Sequence, residues 1–301
     1  MLPGELIARV RRIDITTRRL VDRTLAGQYV SVFKGRGMAF SEVRPYQPGD
    51  EIRTIDWNVS ARMHDTYVKV FTEERELTVM LLVDLSRSQD FGTVDRTKGE
   101  LAAELSALLA FSAIGNGDRV GAVLFTDRVE KFVPPKKGRR HVLALVSEIL
   151  SARPVGKGTD LPGALAYLGR VQRRRTVTFV LSDFLPSTGA EADPEVEHAL
   201  QVTRRRHDLV PVALADPSER ELPALGIALV EDPETGESFP VDLRDAGVRR
   251  RYARIAAARA EARRRLFRRL DLDAIELACG EEYLRPLLAF FRARAKRMAM
   301  G

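Results

Sequence analysis

Three short segments of this sequence carry oxygen donors of the kind that hold a hard divalent cation. The first is Asp84-Leu85-Ser86-Arg87-Ser88. The second is the glycine-flanked loop Gly156-Lys157-Gly158-Thr159-Asp160, and the third is Ser182-Asp183. Two carboxylates, Asp84 and Asp183, and three hydroxyls, Ser86, Ser88 and Thr159, suit Mg2+, with Mn2+ or Ca2+ as substitutes. Magnesium takes an octahedron of oxygens and keeps several waters, so few protein carboxylates suffice. Such a set leaves a coordination position open, which an Asp or Glu of a partner protein would complete. A purely local reading competes with this one. Asp and Ser after a strand cap the next helix or close Asx turns, and Thr159 or Asp183 would serve in the same way. A metal site requires all three segments at one end of one sheet.

The surrounding elements predict that arrangement. Residues 77–83 form a near-continuous apolar run, the pattern of a strand buried on both faces of a parallel sheet. Residues 176–181 form a second buried strand, and further strands are expected over 120–125, 129–133, 208–213 and 274–278. Helical periodicity predicts helices over 97–115, stopped by Gly115-Asn116-Gly117, and over 139–151, 161–172, 194–206, 246–270 and 282–297. A hairpin is expected over 225–243, turning at Glu234-Thr235-Gly236. This alternation implies an α/β fold, an open, mostly parallel sheet with helices on both faces. Ligands of such sheets bind beyond the carboxyl ends of the strands, where Asp84 and Asp183 fall. Residues 1–76 have another character. A helix is predicted over 5–26, then a segment dense in Gly and Pro, then an alternating strand at Thr66–Phe71. The expected organisation is an N-terminal helix and β-rich subdomain over 1–76, and an α/β domain over 77–301 with a hairpin insertion near 217–244.

Asp84-x-Ser86-x-Ser88, with Thr159 and Asp183, resembles the metal-ion-dependent adhesion site of von Willebrand factor A-type domains. The resemblance implies that the serines and the threonine ligate through hydroxyls and the aspartates directly or through water. Upstream, Gly35-Arg36-Gly37-Met38-Ala39-Phe40-Ser41-Glu42-Val43-Arg44-Pro45-Tyr46-Gln47-Pro48-Gly49-Asp50 and Arg53-Thr54-Ile55-Asp56-Trp57-Asn58-Val59-Ser60-Ala61-Arg62 resemble the signature of a narrower family. That family is the domain-of-unknown-function group numbered fifty-eight, bacterial proteins often encoded beside MoxR-type AAA+ ATPases. The resemblance runs from about residue 20 to the end. It implies no established enzymatic activity, and a role as an adaptor working with the ATPase in remodelling or maturing client proteins. Many members carry membrane helices ahead of this region; this chain resembles the short soluble type.

Within the signature, Asp50, Arg53, Asp56 and Arg62 offer two carboxylates and two guanidinium forks around Trp57. Paired bidentately, they would form an internal network with Trp57 as a packing anchor. The rival reading is a partner-docking face formed by Asp50, Arg53, Asp56, Trp57 and Arg62, since Trp and Arg dominate interface hot spots.

Composition narrows the alternatives. The 301 residues are 45% hydrophobic, enough for a sizeable core, and the length suggests about two domains. The net charge of +7 is uneven: +5 over residues 1–39, −7 over 40–245 and +9 over 246–301. The candidate metal ligands thus lie in the acidic stretch. The basic excess lies on the terminal helices, in Arg249-Arg250-Arg251, Arg263-Arg264-Arg265 and Arg268-Arg269, without the interleaved aromatics that stack bases. Those clusters read as a solvated outer face, so no nucleic-acid partner is expected. The last helix, with Leu287, Leu288 and Phe291, reads as a docking face for a partner or a membrane surface. The single cysteine, Cys279, excludes an internal disulfide and a multi-Cys zinc site. Neither a secretory h-region nor a membrane-spanning stretch is seen, so a cytoplasmic location is expected. Position 86 is Ser where an aspartyl-phosphate phosphatase needs a second Asp. The 156–159 loop lacks P-loop spacing. The expected function is a non-enzymatic, metal-dependent protein-interaction adaptor. The alternatives are a Mg2+-dependent hydrolase using the same ion to activate water, and a basic nucleic-acid or membrane-surface binder.

Overall fold

The computed structural model describes residues 3–20, 39–63, 65–72, 76–185, 193–231 and 238–300. Residues 21–26 of the expected first helix, Gly35–Met38 of the N-terminal signature and the hairpin turn at 234–236 lie outside them.

Helix α1 (Pro3–Leu20) opens the chain. Strand β1 (Ala39–Pro45) pairs antiparallel with β2 (Tyr67–Thr72), and helix α2 (Trp57–Met63) lies between them in sequence. The α/β body follows: β3 (Thr78–Asp84), α3 (Lys98–Gly115), β4 (Arg119–Phe125), β5 (Val129–Lys136), α4 (Arg139–Ser151), α5 (Leu161–Val171), β6 (Val177–Ser182), α6 (Pro194–Arg206) and β7 (Asp208–Ala215). A short helix, α7 (Pro217–Arg220), precedes the separate hairpin β8 (Ile227–Glu231) and β9 (Ser238–Asp242). Helix α8 (Ala246–Arg269), β10 (Ile275–Ala278) and α9 (Leu284–Met300) complete the fold.

The main sheet has the order β10-β7-β6-β3-β4-β5, parallel except for β5 at one edge. The chain moves outward from β3 in one direction through β4 and β5, then returns to the other side of β3 at β6. The gap between the carboxyl ends of β3 and β6 is therefore the topological switch point, where open α/β sheets bind ligands.

Strand β3 is buried on both faces because helices cover both. Val79, Leu81 and Val83 pack with α3, α4 and α9; Met80 and Leu82 pack with α5, α6 and the end of α8. Helix α3 is apolar nearly all round, with Leu101, Leu105, Leu108 and Ala110 each at most 1% exposed. It needs a cover on its outer side, and α1 packs against both α3 and α4. Ile13 and Thr17 of α1 are buried, Asp14 pairs with Arg139, and Arg9 pairs with Glu100. The first helix thus packs on the body, although it precedes the 76/77 boundary expected from sequence.

Candidate metal centre

Asp84 is the last residue of β3 and Asp183 directly follows β6, so adjacent parallel strands deliver both carboxylates to the switch point. Asp84 is fully buried. Its Oδ1 accepts from the Ser86 backbone N–H at 2.9 Å, and its Oδ2 accepts from the Ser182 hydroxyl at 2.7 Å. The first contact is the Asx turn anticipated by the local reading. It leads the chain into a single 3-10 turn, Arg87–Asp90, that brings the two serines together, Ser86 Oγ lying 3.1 Å from Ser88 Oγ. Ser88 then donates to Asp183 Oδ2 at 2.7 Å. Four of the five expected ligands are therefore joined in one hydrogen-bonded chain.

Thr159 arrives by a different route. The Arg87 backbone N–H donates to the Lys157 carbonyl at 3.2 Å, which ties the 156–160 loop to the serine turn. Gly156 is required at the start of that loop, because a Cβ there would lie 2.1 Å from Thr126 Oγ1. The cap of α5 is Asp160, whose Oδ1 accepts from the Gly163 N–H at 2.8 Å. Thr159 is thus not the cap, and its hydroxyl makes no hydrogen bond among the described residues.

Electrostatics favour a cation at this place. Burial, and then the charge of Asp183, push the Asp84 carboxyl up to about 6, against the hydrogen bonds from Ser182 and Ser86. Two like charges held together out of water are relieved by protonation or by a positive ion. The buried Gln89 side chain, next to Ser88, has an Oε1 without a hydrogen-bond partner. Among the described residues no three His, Cys, Asp or Glu side chains gather as a cage. A cation would rest on the two aspartates, the hydroxyls and water, a hard-oxygen set that fits Mg2+.

Sequence reasoning missed Lys98. This first residue of α3 is 0% exposed, and its Nζ donates to Asp183 Oδ2 at 2.7 Å and also to Glu219 of α7. Burial opposes its charge, but Asp183 and Glu219 outweigh burial and raise its pKa. Burial also raises the carboxyl of Glu219, against the pull of Lys98. Arg263 closes the far side, donating to the Asp183 carbonyl at 3.0 Å. The sequence held one signal for Lys98: a cation at the N-terminus of an apolar helix opposes the helix dipole and needs a reason to be there.

The profile of the family described as protein of unknown function DUF58 matches residues 42–262. The chain belongs to the DUF58 family. An uncharacterized Mycobacterium tuberculosis protein is 31% identical over 99% of this chain and 92% of its own length. Among solved structures, the conserved hypothetical protein BatB from Bacteroides thetaiotaomicron is similar at 16% identity. That likeness has a TM-score of 0.45, over 75% of this chain and 100% of that one. A von Willebrand factor type A structure from Catenulispora acidiphila is similar at 14% identity, with a TM-score of 0.38, over 77% of this chain and 44% of that one.

The signature segment of this DUF58 protein is organised differently from the network expected within it. Asp50 takes its guanidinium from Arg44, with contacts of 2.8 and 2.7 Å, not from Arg53 or Arg62. That pairing holds the Asp50 carboxyl below its ordinary value, helped by the Gln47 N–H. Asp56 accepts from the Asn58 and Val59 N–H groups at 3.0 and 3.2 Å, starting α2, and pairs with Lys69. Arg44 and Lys69 lie on the paired strands β1 and β2, so each carboxylate finds its cation across the local fold. Arg53 and Arg62 are exposed, and Trp57 is 67% exposed, with Ile52 and Met63 also at the surface. Trp57 is therefore not a packing anchor.

The C-terminal part of the basic face of α8 is ion-paired. Arg264 pairs with Glu276, Arg265 and Arg268 with Glu261, and Arg269 with Glu197. No helix of the described residues is long and apolar enough to cross a membrane.

Proposed function

We propose that this DUF58 protein is a non-enzymatic adaptor that binds a protein partner through a divalent cation held at the switch point. Asp84, Ser86, Ser88, Thr159 and Asp183 are the proposed holders of Mg2+, and a carboxylate of the partner completes the coordination sphere. The observation that carries this reading is the continuous link Asp84–Ser86–Ser88–Asp183, with Asp84 ionised only against burial and a neighbouring negative charge. The family resemblance nominates a MoxR-type AAA+ ATPase, or a client that it remodels, as the partner. The exposed set Arg53, Trp57 and Arg62 is the proposed second contact, since Trp and Arg carry much of the binding energy at interfaces. The arginines of α8 between 263 and 269 already have carboxylate partners, which weighs against that stretch as a nucleic-acid or membrane-surface contact.

The test is capture of the purified cognate ATPase by the wild type and by Asp84→Ala, each with Mg2+ and with EDTA. Capture by the wild type in Mg2+, lost on chelation and absent for the variant, is the expected result. Equal capture under all four conditions would overturn metal-mediated docking. Turnover of phosphoesters that depends on Mg2+ and vanishes in Asp183→Ala would favour the hydrolase instead.

A further inference from the structure

Lys98 has no role in the ligand set, yet it is as fully enclosed as Asp84, both being 0% exposed. Its ammonium touches Asp183 Oδ2, the same oxygen that accepts from Ser88, at 2.7 Å in both cases. Its other contact, Glu219, sits on α7 in a capping box with Asp216. Asp216 in turn accepts from the Thr93 N–H at 2.9 Å, a residue of the loop that leads from the serine turn into α3. Lys98, Asp183 and Glu219 thus form a rigid row: carboxylate, ammonium, carboxylate. The row begins on a proposed metal ligand and ends on a residue outside the ligand set.

We propose that Lys98 is a resident cation that lowers the affinity of the site for a divalent ion, and that Glu219 limits how far it does so. The proposal rests on the metal-binding reading above. An ion entering beside Asp183 meets a fixed positive charge that cannot swing into solvent, because Lys98 is walled in by α3, the end of β6 and α7. The ion must share Asp183 with that charge. Glu219 offsets part of the repulsion by holding the ammonium from its far side. Affinity of hard-oxygen sites follows their net ligand charge, so one enclosed charge weighs heavily. The isolated protein would therefore hold its metal loosely, and a partner's carboxylate would supply the missing negative charge. A docked carboxylate that tightens metal binding would then itself be bound more tightly by the same factor when the metal is present, since such coupling is reciprocal.

Neutralising each end of the pair must move affinity in opposite directions, which a purely architectural role would not do. The experiment is calorimetric titration of Mn2+ into the full chain, comparing wild type, Lys98→Met, Glu219→Gln and Asp84→Ala, with melting temperature recorded with and without Mn2+. Lys98→Met is expected to bind Mn2+ at least tenfold more tightly than wild type. Glu219→Gln is expected to bind it several-fold more weakly, and Asp84→Ala not at all. If Lys98→Met binds Mn2+ no more tightly than wild type while Asp84→Ala is silent, the metal site stands and the role of Lys98 is overturned. If neither wild type nor Lys98→Met binds Mn2+, the metal-binding reading falls and this proposal with it. Should Lys98→Met fail to fold, Glu219→Gln decides alone: weaker binding supports the proposal, and equal or tighter binding overturns it.

Discussion

Replacing Asp84 by Asn should make the metal-free protein more stable at neutral pH, although it removes a fully buried residue's charge from a hydrogen-bonded site. Burial and Asp183 raise the Asp84 carboxyl from its ordinary value of 3.8 to about 6. The folded state therefore binds this proton more tightly than the unfolded state. A raised carboxylate pKa is a penalty that grows as pH rises through the window between those two values, and is absent below it. At pH 7 the penalty is fully developed and amounts to about 3 kcal/mol. Asparagine retains an oxygen for the Ser86 N–H but turns an amide toward the Ser182 hydroxyl, which costs about 1 kcal/mol of hydrogen bonding. The net gain is about 2 kcal/mol at pH 7. By pH 4.5 the remaining penalty is about 1 kcal/mol, which the lost hydrogen bond cancels. Thermal unfolding in EDTA should show Asp84→Asn melting about 4–8 °C above wild type at pH 7, with no difference at pH 4.5. In saturating Mg2+ the wild type alone should gain stability. A variant that melts lower than wild type in EDTA at pH 7, or that gains equally at both pH values, would refute this account of the site.

Other outcomes follow from single residues. Cys279 is buried, and burial pushes its thiol up to about 11; Ellman's reagent should leave it unmodified in the native protein and label it fully in denaturant. Trp57 is the only tryptophan and is 67% exposed. Its fluorescence should be red-shifted and freely quenched by acrylamide, and Trp57→Ala should change stability by no more than about 0.5 kcal/mol. A blue-shifted, protected emission would show instead that this ring is covered. In Gly156→Ala the new methyl would press on Thr126 and Asp127 and displace the Thr159 loop. Stability should fall by about 1–3 kcal/mol, and Mn2+ affinity at least tenfold; unchanged affinity would remove Thr159 from the ligand set.

The parts of the fold legible in sequence were those encoded locally. The apolar run 77–83 has the look of a strand covered on both faces, and β3 is that strand. Its end placed Asp84, and the second buried run placed Asp183, because strand direction in a parallel sheet fixes which ends meet. Lys98 was not legible, since its partners lie 85 and 121 residues away in sequence. Nothing local distinguishes it from a solvated lysine except its awkward place at a helix N-terminus. The cations of Asp50 and Asp56 escaped for a related reason. Strand pairing, rather than sequence spacing, chose Arg44 and Lys69 over the arginines nearer the centre of the signature. The cover that α3 requires was implied by its all-round apolar surface. Which helix supplies it was not.

That cover has a consequence for the architecture as a unit of inheritance and of cloning. A fragment beginning at residue 77 would strip α1 from α3 and α4 and expose the surface on which Ile13 and Thr17 are buried, so it should be prone to self-association. The smallest self-sufficient piece includes the first helix and bridges the signature segment. A piece that keeps α1 therefore also keeps β1, α2 and β2, which stand between it and β3 in sequence.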